Sequence, residues 1–191
     1  MDSMEKRRQL EALRDFFFAE SAGQMAAAYA ALAETAALKL PSVDDWDAVE
    51  FAFNRLFIGP KAPLAPPFSS VYLEPEPQVM GKSTLIARQV FEMIGLQSPW
   101  QGTLPDDHLS LELDACLRFS EIRQAANSHE AEELWNYFLF DHLAKWLPLW
   151  IDRVRKADQV PEAIHAVINV LADWLAEETH DLKPVDVAIG R

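Results

Sequence analysis

"LPDDHLSLELDACLRFS", residues 104–120, decides the fold. Behind a proline and two aspartates, Leu109, Leu113, Cys116, Leu117 and Ser120 recur at the three- and four-residue spacing of one helical face. Asp106, directly after Pro105, is expected as the N-cap, and Asp107 gains from the positive end of the helix dipole. Neither role explains His108, which the same dipole biases toward its neutral form. Three readings stand side by side. The stretch is a helix cap, or a general-base pair in which Asp107 orients His108, or a recognition surface whose carboxylates attract a cation beside apolar side chains.

Helical periodicity continues on both sides. Residues 4–20 and 22–39 read as two helices, the second rich in alanine and ended before Pro41. The first is expected to be solvated. Asp44 or Asp45 caps a third helix running to about Phe57, with Trp46, Val49, Phe53, Leu56 and Phe57 on one side. Ser83 is expected to cap a fourth, whose Leu85, Ile86, Val90 and Ile94 are spaced for burial and which stops at Gly95. A sixth carries Leu134, Trp135, Phe138, Leu139, His142 and Trp146 and should bend or break at Pro148. A seventh carries Val160, Ile164, Val167, Ile168, Leu171 and Leu175, and the last dozen residues read as a tail. "SSVYLE" is the best strand candidate and too short to build a sheet alone. The expectation is all-α: a single domain over residues 1–191, a bundle of about seven helices with a long proline-rich loop.

That loop is residues 58–82, "IGPKAPLAPPFSSVYLEPEPQVMGK", holding six of the twelve prolines. Proline fixes φ and removes a backbone donor, so the segment should be extended and ordered, neither helix nor sheet. Long loops within compact domains tend to be functional. Leu64, Phe68, Val71 and Tyr72 either bury against the bundle or line a groove on it.

Composition narrows the function. Seventeen basic residues against 30 acidic ones leave a formal charge of -13, the wrong sign for nucleic acid and the right one for a cationic partner. A lone cysteine, Cys116, excludes a disulfide framework and a Cys-based zinc site. The five histidines show no HxxxH or HExxH spacing, and His142, between Phe138 and Trp146, reads as a hydrogen-bonded core histidine. "GKST" at 81–84 lacks the first glycine of a phosphate loop, and "SSVY" lacks a glycine elbow for a serine nucleophile. No catalytic residue, metal or cofactor is therefore expected. Arg7 and Arg8 form a twin-arginine pair, but Glu11, Arg14, Asp15 and Glu20 interrupt the apolar stretch that an export signal needs. With no run of 18 apolar residues, no transmembrane helix is expected, and the protein should be cytoplasmic.

Four stretches, in order over roughly residues 53–155, resemble one family. "FNRLFIGPKAPLAPPFSSVYLE" is similar to the LFxGP…PP…SVY segment of the TorD/DmsD chaperones of redox-enzyme maturation. "GKSTLIARQVFEMIGL" resembles the helix that follows it there, "LPDDHLSLEL" the P-[DE]-D-H-[LF] signature, and "FLFDHLAKWLPLW" the H-L-x-x-W-x-P-x-[FW] element. The resemblance implies an all-helical cytosolic chaperone that binds the twin-arginine signal peptide of an oxidoreductase precursor, usually a molybdenum-cofactor enzyme. It delays export until folding and cofactor insertion are complete. It also implies a peptide groove including Phe53, Leu56, Phe57, Phe68 and Tyr72, with Asp107 and His108 at one end. The family often has Trp where this chain has Phe53, Phe68 and Tyr72. It includes NarJ-like members whose clients are not exported, and both monomers and domain-swapped dimers. The rival is a small hydrolase or nucleotide-binding enzyme using Asp107 and His108.

Overall fold

The computed structural model describes residues 3–35, 39–96, 102–125 and 129–180. The tail expected at the end of the chain, and the last turn expected of the second helix, fall at residues outside that range. Helix α1, Ser3–Phe18, turns Leu10, Leu13, Phe16 and Phe17 onto α2 (Ala22–Thr35) and α6 (Leu109–Ala125). It is a core helix rather than a solvated one. Arg7 bonds Glu121 of α6 at 2.9 Å and Arg14 bonds Asp114 at 2.9 Å, so its charged residues also tie it down.

Helix α3, Trp46–Phe53, starts as expected: the Asp45 carboxylate accepts the N–H of Ala48 at 3.0 Å. It widens into a π-helical turn, Asn54–Ile58, closed when Gly59 N–H donates to Asn54 O at 2.8 Å. Gly59 has φ +122°, and a Cβ there would meet the Lys61 carbonyl at 2.8 Å, so only glycine serves at this exit. The stretch read as a strand is instead a single helical turn, α4, Ser70–Leu73. The N–H groups of Val71, Tyr72 and Leu73 close local turns onto Phe68 O and Ser69 O at 3.1, 3.0 and 3.0 Å, so they are not free to join a strand ladder.

Helix α5, Lys82–Met93, has Gly81 rather than Ser83 at its cap. Glu74 reaches across and accepts both the Ser83 N–H (2.7 Å) and its hydroxyl (2.8 Å). The expected stop at Gly95 holds: with φ +62° its N–H bonds Glu92 O, and Leu96 N–H bonds Phe91 O at 2.9 Å, a Schellman closure. Leu85, expected to be buried, is 55% exposed, because the inward face is Ser83, Thr84, Ala87, Val90 and Phe91.

Helix α6 departs most from its expected single stripe. Leu109 through Leu113, Ala115, Cys116, Leu117 and Phe119 are all buried, so the helix is enclosed on every side at its start. The chain continues through α7 (His129–Asn136), a π-helical stretch (Tyr137–Leu143), α8 (Ala144–Arg155) and α9 (Glu162–His180); α6 packs on α1 and α7 and reaches the π-helical stretch and α8 through Glu112. Pro148 neither ends nor interrupts α8; the departure from α geometry precedes it. Counting α3 and α7–α8 with their π turns as single runs, the described residues form seven long helices and the short α4. Their one contiguous core is centred on Trp146, Trp150, Phe16, Phe91, Phe119 and Phe138. Burying each such ring contributes roughly 1.5–3 kcal/mol.

Candidate functional site: an apolar groove beside the proline segment

Residues 59–69 lie outside any helix and are held to the bundle at several points. Ala65 N–H donates to Leu56 O at 2.7 Å, and Ala65 O accepts the indole N–H of Trp150 at 3.0 Å. Arg153 Nε donates to Leu64 O at 2.6 Å. The segment then pairs with the stretch before α6 through one antiparallel bridge, Phe68 with His108. Leu109 N–H bonds Pro67 O at 2.9 Å and Ser69 N–H bonds Asp107 O at 3.1 Å. The prolines thus supply a stiff strap where a helix would have turned away.

Between strap and bundle lies a groove of about 760 Å³. Phe17, Phe53 and Phe57 form its base, packed edge to face with Phe53–Phe57 centroids 4.9 Å apart. Pro63, Pro66, Pro67 and Phe68 form the strap side, and Leu104, Pro105 and His108 the far side. Ile58, 61% exposed, and Val79 stand at the rim. Its exposed wall is mostly carbon, the usual character of a peptide or ligand site.

Four of the seven residues expected in the groove line it: Phe53, Phe57, Phe68 and His108. Three do not. Leu56 lies fully buried behind the base. Tyr72 stacks on Trp146 at 5.8 Å with the Arg153 guanidinium over its ring at 5.9 Å. Burial raises its phenol to about 12. Asp107 is turned inward, with no exposed surface: Oδ2 accepts the Ser70 N–H at 2.9 Å and Oδ1 the Thr84 hydroxyl at 2.8 Å. The carboxylate locks α4 and α5 to the start of α6.

The cap of α6 also differs from expectation. His108, not Asp106, holds that position: its carbonyl accepts Leu111 N–H at 2.9 Å and its Nδ1 accepts Ser110 N–H at 3.2 Å. A ring that accepts at Nδ1 is neutral with its proton on Nε2, and burial lowers its pKa to about 4. Asp106 instead meets Arg88 at 2.6 Å. Both Asp107 oxygens and His108 Nδ1 are thereby engaged elsewhere, so the acid–base dyad of the hydrolase reading does not form.

Sequence reasoning missed two groups. Phe17, Phe18, Ala19 and Glu20, at the end of α1, line the groove; the triple phenylalanine was the available signal. Glu112 lies fully buried, its Oε1 2.6 Å from His142 Nε2 and its Oε2 accepting the Trp146 indole N–H at 2.9 Å. Burial raises the Glu112 pKa, while Glu112 raises that of His142 against its own burial. His142 is the core histidine expected of it.

The chain is an all-helical bundle with an apolar groove under a proline strap, and its Asp107–His108 pair is not assembled as a catalytic dyad. The chain belongs to the nitrate reductase delta subunit family, whose model matches residues 6–152. It is 37% identical over 101 residues to the Tat proofreading chaperone DmsD of Salmonella paratyphi A, covering 53% of this chain and 48% of that protein. It is 29% identical over 141 residues to the chaperone protein TorD of Psychrobacter, covering 71% and 62%. The chain spans about half the length of the DmsD relatives it matches. A redox enzyme maturation protein of Archaeoglobus fulgidus shares the fold, with TM-score 0.61 and 21% identity over 90% of this chain and 96% of that one. Among the described residues, no helix is long and apolar enough to cross a membrane, and no cluster of three metal-ligating side chains occurs.

Proposed function

We propose that this protein is a cytoplasmic chaperone that binds the twin-arginine signal peptide of a redox enzyme precursor, probing the client before export. Residues 1–191 act as one domain in this reading, and the client is an oxidoreductase of the molybdenum-cofactor type. The observation that carries the proposal is the groove: an apolar trough, open at one rim, on a chain whose relatives are named Tat proofreading chaperones. A twin-arginine signal couples a cationic start to an apolar continuation. The apolar part suits the surface formed by Phe53, Phe57, Phe68, Pro66 and Ile58, while Leu56, Tyr72 and Asp107 hold that surface in shape from behind. Net acidity supports the cationic part by long-range attraction. Titration with an isolated signal peptide tests it: binding at low salt that weakens with added salt, yet persists through its apolar component, is expected.

A second reading draws on the description of the family itself, nitrate reductase delta subunit. In it the client is not exported, and the groove takes an apolar segment of the client without an arginine pair. Equal affinity for arginine-containing and arginine-free peptides would favour that branch.

A further inference from the structure

The groove is asymmetric in charge. Of the described side chains lining it, one carries a formal charge at neutral pH: Glu20, exposed at the rim. His108 is held neutral, and among the described residues no Lys or Arg lines the wall. Arg55, adjacent to Asn54 of the lining, points elsewhere, its guanidinium donating to the Asp158 and Gln159 carbonyls at 2.7 and 2.9 Å.

The backbone adds the same sign at the same place. Helix α1 ends at Phe18, and its final residues, Phe17 and Phe18, line the groove together with Ala19 and Glu20. A helix C-terminus presents carbonyl groups without intrahelical partners and a partial negative charge. The last turn of α1 contains no basic residue to offset it. Glu20 is anchored through its backbone, its N–H donating to the Gln24 side-chain carbonyl at 2.7 Å, and its side chain is exposed.

We infer that the end of α1, with Glu20 as its charged group, is the subsite that receives the cationic residue of the bound peptide, and that it fixes the direction in which the peptide lies. The inference rests on the signal-peptide reading above and names the polar end of that site. The arginine side meets Glu20 and the carbonyls closing α1, and the apolar residues run from there over Phe53 and Phe57 toward the strap. The guanidinium suits this pair of partners because its planar set of donors can engage a carboxylate and a carbonyl together.

The test is a four-way comparison by titration calorimetry, with wild-type protein and Glu20→Gln, each against a peptide bearing an arginine pair ahead of an apolar stretch and against the same peptide with both arginines replaced by glutamine. A rim ion pair predicts that Glu20→Gln weakens the arginine peptide roughly two- to fivefold at low salt, and leaves the glutamine peptide unchanged. Glu20→Lys should weaken the arginine peptide further. Equal effects of Glu20→Gln on both peptides, or none on either, would overturn the subsite. A groove variant, Ile58→Asn, keeps the two claims apart. If it weakens both peptides while Glu20 shows no charge coupling, the subsite fails and the groove reading stands; if it alters neither, the groove reading fails as well. Melting temperatures of all variants establish that each is folded.

Discussion

Asp107 accepts the backbone N–H of Ser70 at 2.9 Å in the fully buried interior, joining two segments 37 positions apart in sequence. The residue expected to face a ligand is instead the clasp that sets α4 and α5 against the start of α6. Removing it strands the Ser70 N–H and the Thr84 hydroxyl together. Asp107→Ala should therefore cost about 2–4 kcal/mol of stability, measured by urea denaturation. Asp107→Asn, which keeps one acceptor, should cost less. An unchanged urea midpoint for Asp107→Ala would show that the clasp contributes nothing.

The titration of His108 gives a signed pH dependence. Its pKa falls from the ordinary 6.5 to about 4 on folding, through burial. Between those values the unfolded chain binds the extra proton and the folded one does not. The stability due to neutral His108 is thus full above pH 6.5 and declines as pH falls toward 4, by ~3 kcal/mol at the lower end. His108→Asn retains a capping side chain without the titration. Its melting temperature should vary less with pH across that window than that of the wild type; parallel curves would contradict the assignment.

The Glu112–His142 pair acts in the opposite sense. Glu112 raises the pKa of His142 above its ordinary 6.5, and burial raises that of Glu112 above 4.5. The contribution of His142 is full below pH 6.5 and lost as pH climbs through its folded value; that of Glu112 is full below 4.5 and lost in the same direction. His142→Ala leaves a buried carboxylate partnered only by the Trp146 N–H, and should cost roughly 3–5 kcal/mol. The double variant Glu112→Met with His142→Leu should recover part of that loss, with the Trp146 N–H as the remaining orphan. A double variant no more stable than His142→Ala would mean that packing, rather than the stranded charge, sets the cost.

How much of this was legible beforehand differs by feature. Helix positions followed from the spacing of apolar residues, and the capping of α3 by Asp45 and the stop at Gly95 followed from local chemistry that acts within one turn. Side-chain direction at Asp107 did not, because it depends on where Ser70 and Thr84 dock, and nothing within reach of residue 107 in sequence encodes that. Glu112 carried a signal that went unread: a carboxylate flanked by Leu111 and Leu113 in a helix buried all round must find partners, and His142 and Trp146 offer donors one turn apart. The contribution of α1 to the groove was hidden because Phe16, Phe17 and Phe18 read equally as core. In the fold the first is fully enclosed, the second forms the base and the third is half-buried at the wall.

The central claim is that a signal peptide lies in the groove between the strap and α3, and calorimetric titration of a twin-arginine signal peptide against wild type, Phe68→Ala and Ile58→Asn tests it most directly. Phe68 packs against His108 with centroids 5.1 Å apart, and Ile58 is exposed at the rim, so neither variant opens the core. Loss of apolar contact at either position should weaken binding by roughly 1–2 kcal/mol, about five- to thirtyfold in affinity, with melting temperature little changed. Full affinity in both variants, alongside tight binding by the wild type, would place the peptide elsewhere on the molecule and contradict the account.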